Sequence, residues 1–209
     1  LPSNLALGVG TEINYLAIKK GEEISILAEE LVEDFTKGCE EFEKLKTFKG
    51  SDLIGLSYEP LFPYLAENEK TQNSKASFTI LHGDFVTTDA GTGIVHLAPG
   101  FGEDDQLLCK SHGIPTLCPV DEAGKFTSEI FDLPELSLKG RQVFDGNDDI
   151  IKYLKGSGAW IKTEQYLHDY PHCWRTDTPL IYRAVSSWYV KVTDFTDRMV
   201  ELNQGINWI

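Results

Sequence analysis

The sequence predicts an α+β domain built around a curved or closed sheet. Three observations carry this: short β-type runs outnumber helical ones, the helical stretches are scattered among them, and the connections are too short and irregular for a repeating βαβ order. Of the 209 residues, 41% are hydrophobic and 11% aromatic against 25% charged. That is enough apolar material to bury a core, and too little charge for a disordered acidic chain. Residues 1–209 are read as a single domain.

In chain order, Ile13–Lys19 and Glu23–Leu27 read as strands joined at Lys20-Gly21. A helix is expected over 28–37, with Leu31, Val32 and Phe35 inward and Gly38 after it, where a left-handed residue ends a helix. Residues 40–75 read as irregular strand and loop, and polar Glu67–Lys75 as a mobile surface loop. Phe78–Leu81, Asp84–Thr87 and Gly93–Ala98 suggest an antiparallel meander turning at His82-Gly83 and Asp89-Ala90-Gly91. Pro99-Gly100-Phe101-Gly102 breaks the last of these, and Glu103–His112 follows as a helix with three acids in its first turn and Gly113 behind it. Ile114–Val120 and Gly124–Thr127 look like strand and turn. Asn147 is read as the cap of a second helix, with Asp148 and Asp149 in its first turn, Lys152 and Lys155 in its last and Gly156 beyond. Trp160–Tyr166 and Leu180–Val192 are strand-like, and Thr193 or Asp194 could cap a last helix through Leu202, so residues 160–209 are expected to form a strand–helix return segment.

The formal charge of −14 argues against a free-standing nucleic-acid binder, whose affinity for phosphate comes from clustered Lys and Arg. The charge is uneven, at −6 over residues 1–75, −9 over 76–150 and +1 over 151–209. Any RNA contact is therefore expected in the last third, at Lys152, Lys155, Lys162, Arg175 and Arg183. Cys39, Cys109, Cys118 and Cys173 form no CxxC pair, which fits reduced thiols in a cytoplasmic protein. No metal is expected, because the adjacent His172 and Cys173 rarely converge on one tetrahedral ion. No run approaches the eighteen or so apolar residues of a membrane span. The GxG pairs extend to neither a dinucleotide nor a P-loop fingerprint, and no GxSxG elbow occurs.

The densest segment is DAGTGIVHLAPGFGEDD, residues 89–105. A strand places His96 and Ala98 on one face, and the Pro-Gly-Phe-Gly break turns the chain so that Asp105 can return across the strand end. A histidine, an apolar floor and a carboxylate at one junction would suit a cationic amine. On spacing alone two plainer readings stay open: His96 as a half-buried histidine bonded to backbone, and Asp105 as an acid favoured by the helix dipole.

With PVDEAGKF (119–126) and YPHCWRTDTPLIYRAVSSWYVKV (170–192), this segment resembles the editing (CP1) insertion of isoleucyl-tRNA synthetases, in the class I family, over essentially the whole chain. The resemblance implies a β-barrel-containing domain with surrounding helices, in the fold shared by the isoleucyl, valyl and leucyl enzymes, inserted in a catalytic core toward which residues 160–209 return. It implies hydrolysis of the ester of valine mischarged onto isoleucine tRNA after transfer, with editing before transfer as a further expectation. His96 and Asp105 are then the catalytic-pocket residues, with Gly91, Thr92, Gly93, Ala98 and Phe101 binding substrate. The implied partners are the 3′ end of valine-bearing isoleucine tRNA and the catalytic domain of the same chain; no membrane is involved and a monomer is expected. No cofactor belongs to this domain, ATP and magnesium being used by the catalytic one. The ends look cut: the family's threonine-rich pocket strand is expected just before LPSN, and Leu1 and Ile209 are expected to lie side by side. The competing reading is a non-catalytic module that binds an aminoacylated RNA end or an amino acid.

Overall fold

The computed structural model describes residues 2–37, 42–89, 91–163 and 169–207. The expected proximity of Leu1 and Ile209 lies outside the described residues, as does Gly38. The strands are β1 (Ala6–Val9), β2 (Asn14–Lys20), β3 (Glu23–Ala28), β4 (Glu43–Lys49), β5 (Ile80–His82) and β6 (Val95–Leu97). The helices are α1 (Val32–Phe35), α2 (Glu69–Gln72), α3 (Glu103–Ser111), α4 (Asn147–Gly156) and α5 (Thr196–Gln204).

The β2–β3 hairpin forms as expected, with Tyr15 opposite Ala28 and Lys20 opposite Glu23. Gly21 turns it at φ 60°, a left-handed conformation that glycine adopts without a steric penalty. β4 pairs with the other edge of β2, giving an antiparallel sheet in the order β3-β2-β4. A second sheet has the order β5-β1-β6, with β1 parallel to β5 and antiparallel to β6.

Backbone hydrogen bonds join the two sheets at both edges. At one, Ala28 N donates to Thr92 O at 2.8 Å, just ahead of β6. At the other, residues 55–58, which continue the chain from β4, lie along β5: Ile80 N donates to Leu56 O (2.9 Å) and Tyr58 N to Phe78 O (3.0 Å). The layer thus curls back on itself around Val9, Tyr15, Ala28, Leu31 and Leu53, with Ile80 and Ile94 packed against them. This is the curved, barrel-like sheet of the expected α+β class. A second core, including Leu5, Leu97, Cys109 and Leu117, lies between β1–β6 and α3. A third, including Phe62, Tyr64, Phe126, Leu138 and Leu154, lies beneath α4.

Several expectations are corrected. The antiparallel meander is absent, because β1 inserts between β5 and β6. Buried on both faces, Ala6-Leu7-Gly8-Val9 lacks the alternation that marks a half-exposed strand. Asp84–Thr87 is not a strand; Val86 N bonds back to Gly83 O at 3.2 Å. Glu67–Lys75 is no open loop, since α2 lies within it and buried Thr71 donates its hydroxyl to Leu65 O. Asn147 is the first residue of α4 rather than its cap, a place held by Gly146. The expected strands over the described part of 160–192 do not form, although α5 does. Their β-branched and aromatic residues find no sheet edge among the described residues, and β propensity is expressed only against a partner. Trp188 is 100% exposed and Tyr189 90%. No helix among the described residues is long and apolar enough to cross a membrane.

Candidate functional site

β6 sets the geometry of the site. His96 sits opposite Leu7 of β1, half-buried, with Ala98 two positions on along the same face. Asn4, just ahead of β1, donates from Nδ2 to His96 Nδ1 at 2.8 Å and to Ala6 O at 2.9 Å. Burial pushes the pKa of His96 down to about 4, because a charged imidazolium is poorly solvated there. At neutral pH the ring is uncharged.

His96, Ala98 and Phe101 line a cleft of about 370 Å³ together with Val120, Phe126 and Ile150 and with Phe144, Tyr170, Ile181 and Tyr182. That volume lies within the range of small-molecule sites. The arm carrying Tyr170–Ala184 is tied across it: Ala184 N donates to Gly100 O (2.8 Å), Arg183 Nη1 to Val120 O (3.2 Å), and Tyr170 meets Phe144 edge-on at 6.3 Å.

Asp105, in the first turn of α3, does return across the strand end. Its Oδ2 accepts the Ala98 N–H at 2.9 Å. Gly102 makes room for this, since a Cβ there would sit 2.9 Å from Asp105 Cγ. The carboxylate does not line the cleft itself. It braces the backbone of a residue that does, and its Oδ1 accepts no hydrogen bond among the described residues.

Gly91, Thr92 and Gly93 are not brought to the cleft. Gly93 is pinned between the sheets, its O accepting the Tyr15 hydroxyl at 2.7 Å. Its φ is 70°, and a Cβ would come within 2.5 Å of Ala28 Cβ. Together with the Ala28–Thr92 bond, this makes the GTG turn a joint of the fold. Among the five cations expected at RNA, Lys152 is exposed on α4. Three rest on separate aromatic rings, Lys155 on Trp160 (4.6 Å), Lys162 on Phe35 (5.1 Å) and Arg175 on Trp174 (4.3 Å). Arg183 is tied to Val120 O beside the cleft. Among the described residues no group of three or more His, Cys, Asp or Glu is placed to hold a metal ion.

Asn4, Tyr170, Ile181 and Tyr182 escaped the sequence reading. Asn4 lies 92 positions from His96, and no local pattern signals such a contact. Tyr170 and Tyr182 both stand inside the segment YPHCWRTDTPLIYRAVSSWYVKV, Tyr182 within an expected strand and Tyr170 ahead of it.

No protein-family model matches the chain. It is 59% identical over 211 residues to the isoleucine–tRNA ligase of Rickettsia bellii (strain OSU 85-389), covering 100% of this chain and 18% of that protein. It is 60% identical to the isoleucine–tRNA ligase of Rickettsia felis and 58% to that of Rickettsia prowazekii, with the same coverage. The chain thus spans 18% of the length of these relatives. Its fold is similar to the crystal structure of GlLeuRS-CP1, with a TM-score of 0.56 and 16% identity over 79% of each chain. Along its whole length the chain thus matches a segment of isoleucine–tRNA ligases, and its fold is that of a CP1 domain.

Proposed function

We propose that the chain is the editing unit of an isoleucyl-tRNA synthetase and hydrolyses the ester of valine mischarged onto isoleucine tRNA. One observation supports this above the others: an uncharged His96 forms one side of an apolar cleft of small-molecule size. A synthetic site can reject one missing methylene by only about 10–200-fold, isoleucyl-tRNA synthetase being itself the standard example, so a second and smaller site must discard what enters it. In this reading His96, Ala98 and Phe101 are the wall that admits a valine side chain and excludes isoleucine. Asp105, whose Oδ2 braces the Ala98 backbone just outside the cleft, has Oδ1 left over for the α-ammonium group of a substrate that extends past Ala98. An aminoacyl ester is already activated, so a water held by the pocket and the terminal ribose hydroxyl suffices as nucleophile.

The partners in this proposal are the aminoacylated 3′ end of isoleucine tRNA and the catalytic domain of the same polypeptide, in the cytoplasm. Binding of a non-hydrolysable valyl-adenosine analogue, measured by calorimetry, tests the site. Asp105→Ala is expected to weaken it by roughly 10–150-fold, the worth of a charged hydrogen bond. Undiminished affinity in that variant would remove Asp105 from the site.

A further inference from the structure

We propose, building on the reading of His96 as a wall of the editing cleft, that Tyr58 is a positioning residue which acts through Asn4 to keep the proton of the His96 ring on Nε2. Three side chains distant in sequence form one line of hydrogen bonds behind the cleft. The Tyr58 hydroxyl donates to Asn4 Oδ1, and Asn4 Nδ2 donates both to Ala6 O (2.9 Å) and to His96 Nδ1 (2.8 Å). One group in this line cannot reverse its role. A backbone carbonyl only accepts, so Ala6 identifies the nitrogen end of the Asn4 amide. Oδ1 is then left for Tyr58, and His96 Nδ1 must accept. A neutral imidazole whose Nδ1 accepts carries its proton on Nε2.

Tyr58 is outside the cleft, and its own neighbours hold it in place. Its ring meets Phe78 edge-on at 6.2 Å, and its N–H donates to Phe78 O at 3.0 Å. Phe78 has φ 59°, a left-handed conformation that costs an L-residue about 1–2 kcal/mol. It is kept there by a 2.7 Å bond from its N–H to Leu5 O, next in the chain to Asn4. The strained residue therefore bridges the backbones that carry Tyr58 and Asn4. Such strain persists where surrounding structure over-determines it, often beside a functional geometry. Burial raises the Tyr58 phenol, so it remains a donor at neutral pH. Without the hydroxyl, Asn4 Oδ1 loses its partner, and only the bond to Ala6 O still opposes a turn of the amide. Oδ1 would then face His96 Nδ1, which would have to carry the proton.

The test is the ring-nitrogen NMR spectrum of His96 at neutral pH, recorded on this chain without substrate. Wild type is expected to show Nδ1 unprotonated and Nε2 protonated. Tyr58→Phe, which keeps the ring against Phe78, is expected to show a mixture with Nδ1 protonated. Asn4→Asp, able only to accept, is expected to move the proton to Nδ1. In the full-length synthetase, Tyr58→Phe is expected to lower kcat for deacylation about fivefold to tenfold, the worth of one hydrogen bond, with KM unchanged. A wild-type ring protonated on Nδ1 overturns the proposal even if the variants fail to fold, and so does a Tyr58→Phe spectrum identical to wild type. Because the spectrum needs no substrate, it separates this proposal from the editing reading, which fails instead if no deacylation is found while the ring nitrogens behave as expected.

Discussion

At the scale of single residues, His96 couples the site to stability. Its pKa is lowered from the ordinary 6.5 to about 4 by burial, so on acidification the unfolded chain takes up this proton before the folded one. Its contribution to stability is therefore complete above about pH 6.5, is lost progressively as the pH falls toward about 4, and changes no further below that. The loss is at most about 3 kcal/mol. Urea unfolding of wild type and His96→Gln across this window checks it: the wild type should lose more stability than the variant, and parallel curves would show that the ring is not buried as a neutral group. Asp105→Ala should reduce stability only modestly, by about 1–2 kcal/mol, through the lost Ala98 N–H partner and the vacated first-turn acid. A large loss of unfolding free energy in that variant would make Asp105 a fold determinant rather than a site residue.

At the scale of elements, the GTG turn is a joint between two sheets. Gly93→Ala places a Cβ 2.5 Å from Ala28 Cβ at a positive φ, and neither strain can relax without moving β3 away from Thr92. A destabilisation of about 2–4 kcal/mol is expected, read from the shift in denaturation midpoint. Gly91→Ala, exposed and with nothing near its Cβ, should cost about 1–2 kcal/mol from φ alone. The contrast shows what the sequence made legible. The β2–β3 hairpin, α3 and α4 are local, written in turn glycines, first-turn acids and apolar spacing. β1 is not, because its pairing with Ile80 and His96 links positions more than seventy apart. The same division runs through the site. His96 and Ala98 share a face for reasons of strand geometry alone, and the return of Asp105 follows from the glycine break. Asn4 and the aromatic far wall depend on tertiary contacts that no local pattern encodes. Residues Leu180–Val192 misled in the opposite way, since their composition suits a strand but no edge receives them among the described residues.

At the scale of the whole molecule, net charge and length set what this segment does alone. A charge of −14 gives little attraction for a tRNA body, and the chain spans only 18% of its relatives. The rest of a synthetase is thus proposed to hold the RNA, and a threonine-rich strand that the family resemblance implies is proposed to complete the pocket. Deacylation by this chain alone is expected to be on the order of 100-fold slower than by the full-length enzyme, the scale set by misplacing a reacting group by about 1 Å. Extending the chain through that strand should recover part of the difference. No recovery at either low or physiological salt would assign the deficit to RNA delivery. The central claim, that the His96 cleft discards valine and spares isoleucine, is tested most directly by measuring deacylation of valyl- and isoleucyl-tRNA for isoleucine by the full-length synthetase and its His96→Ala variant. Wild type should hydrolyse only the valyl ester, and the variant, with room for one more methylene, should attack the isoleucyl ester as well. A variant that still spares isoleucine while hydrolysing valine as wild type does would contradict the claim, and a wild type that hydrolyses neither ester would leave a binding module in its place.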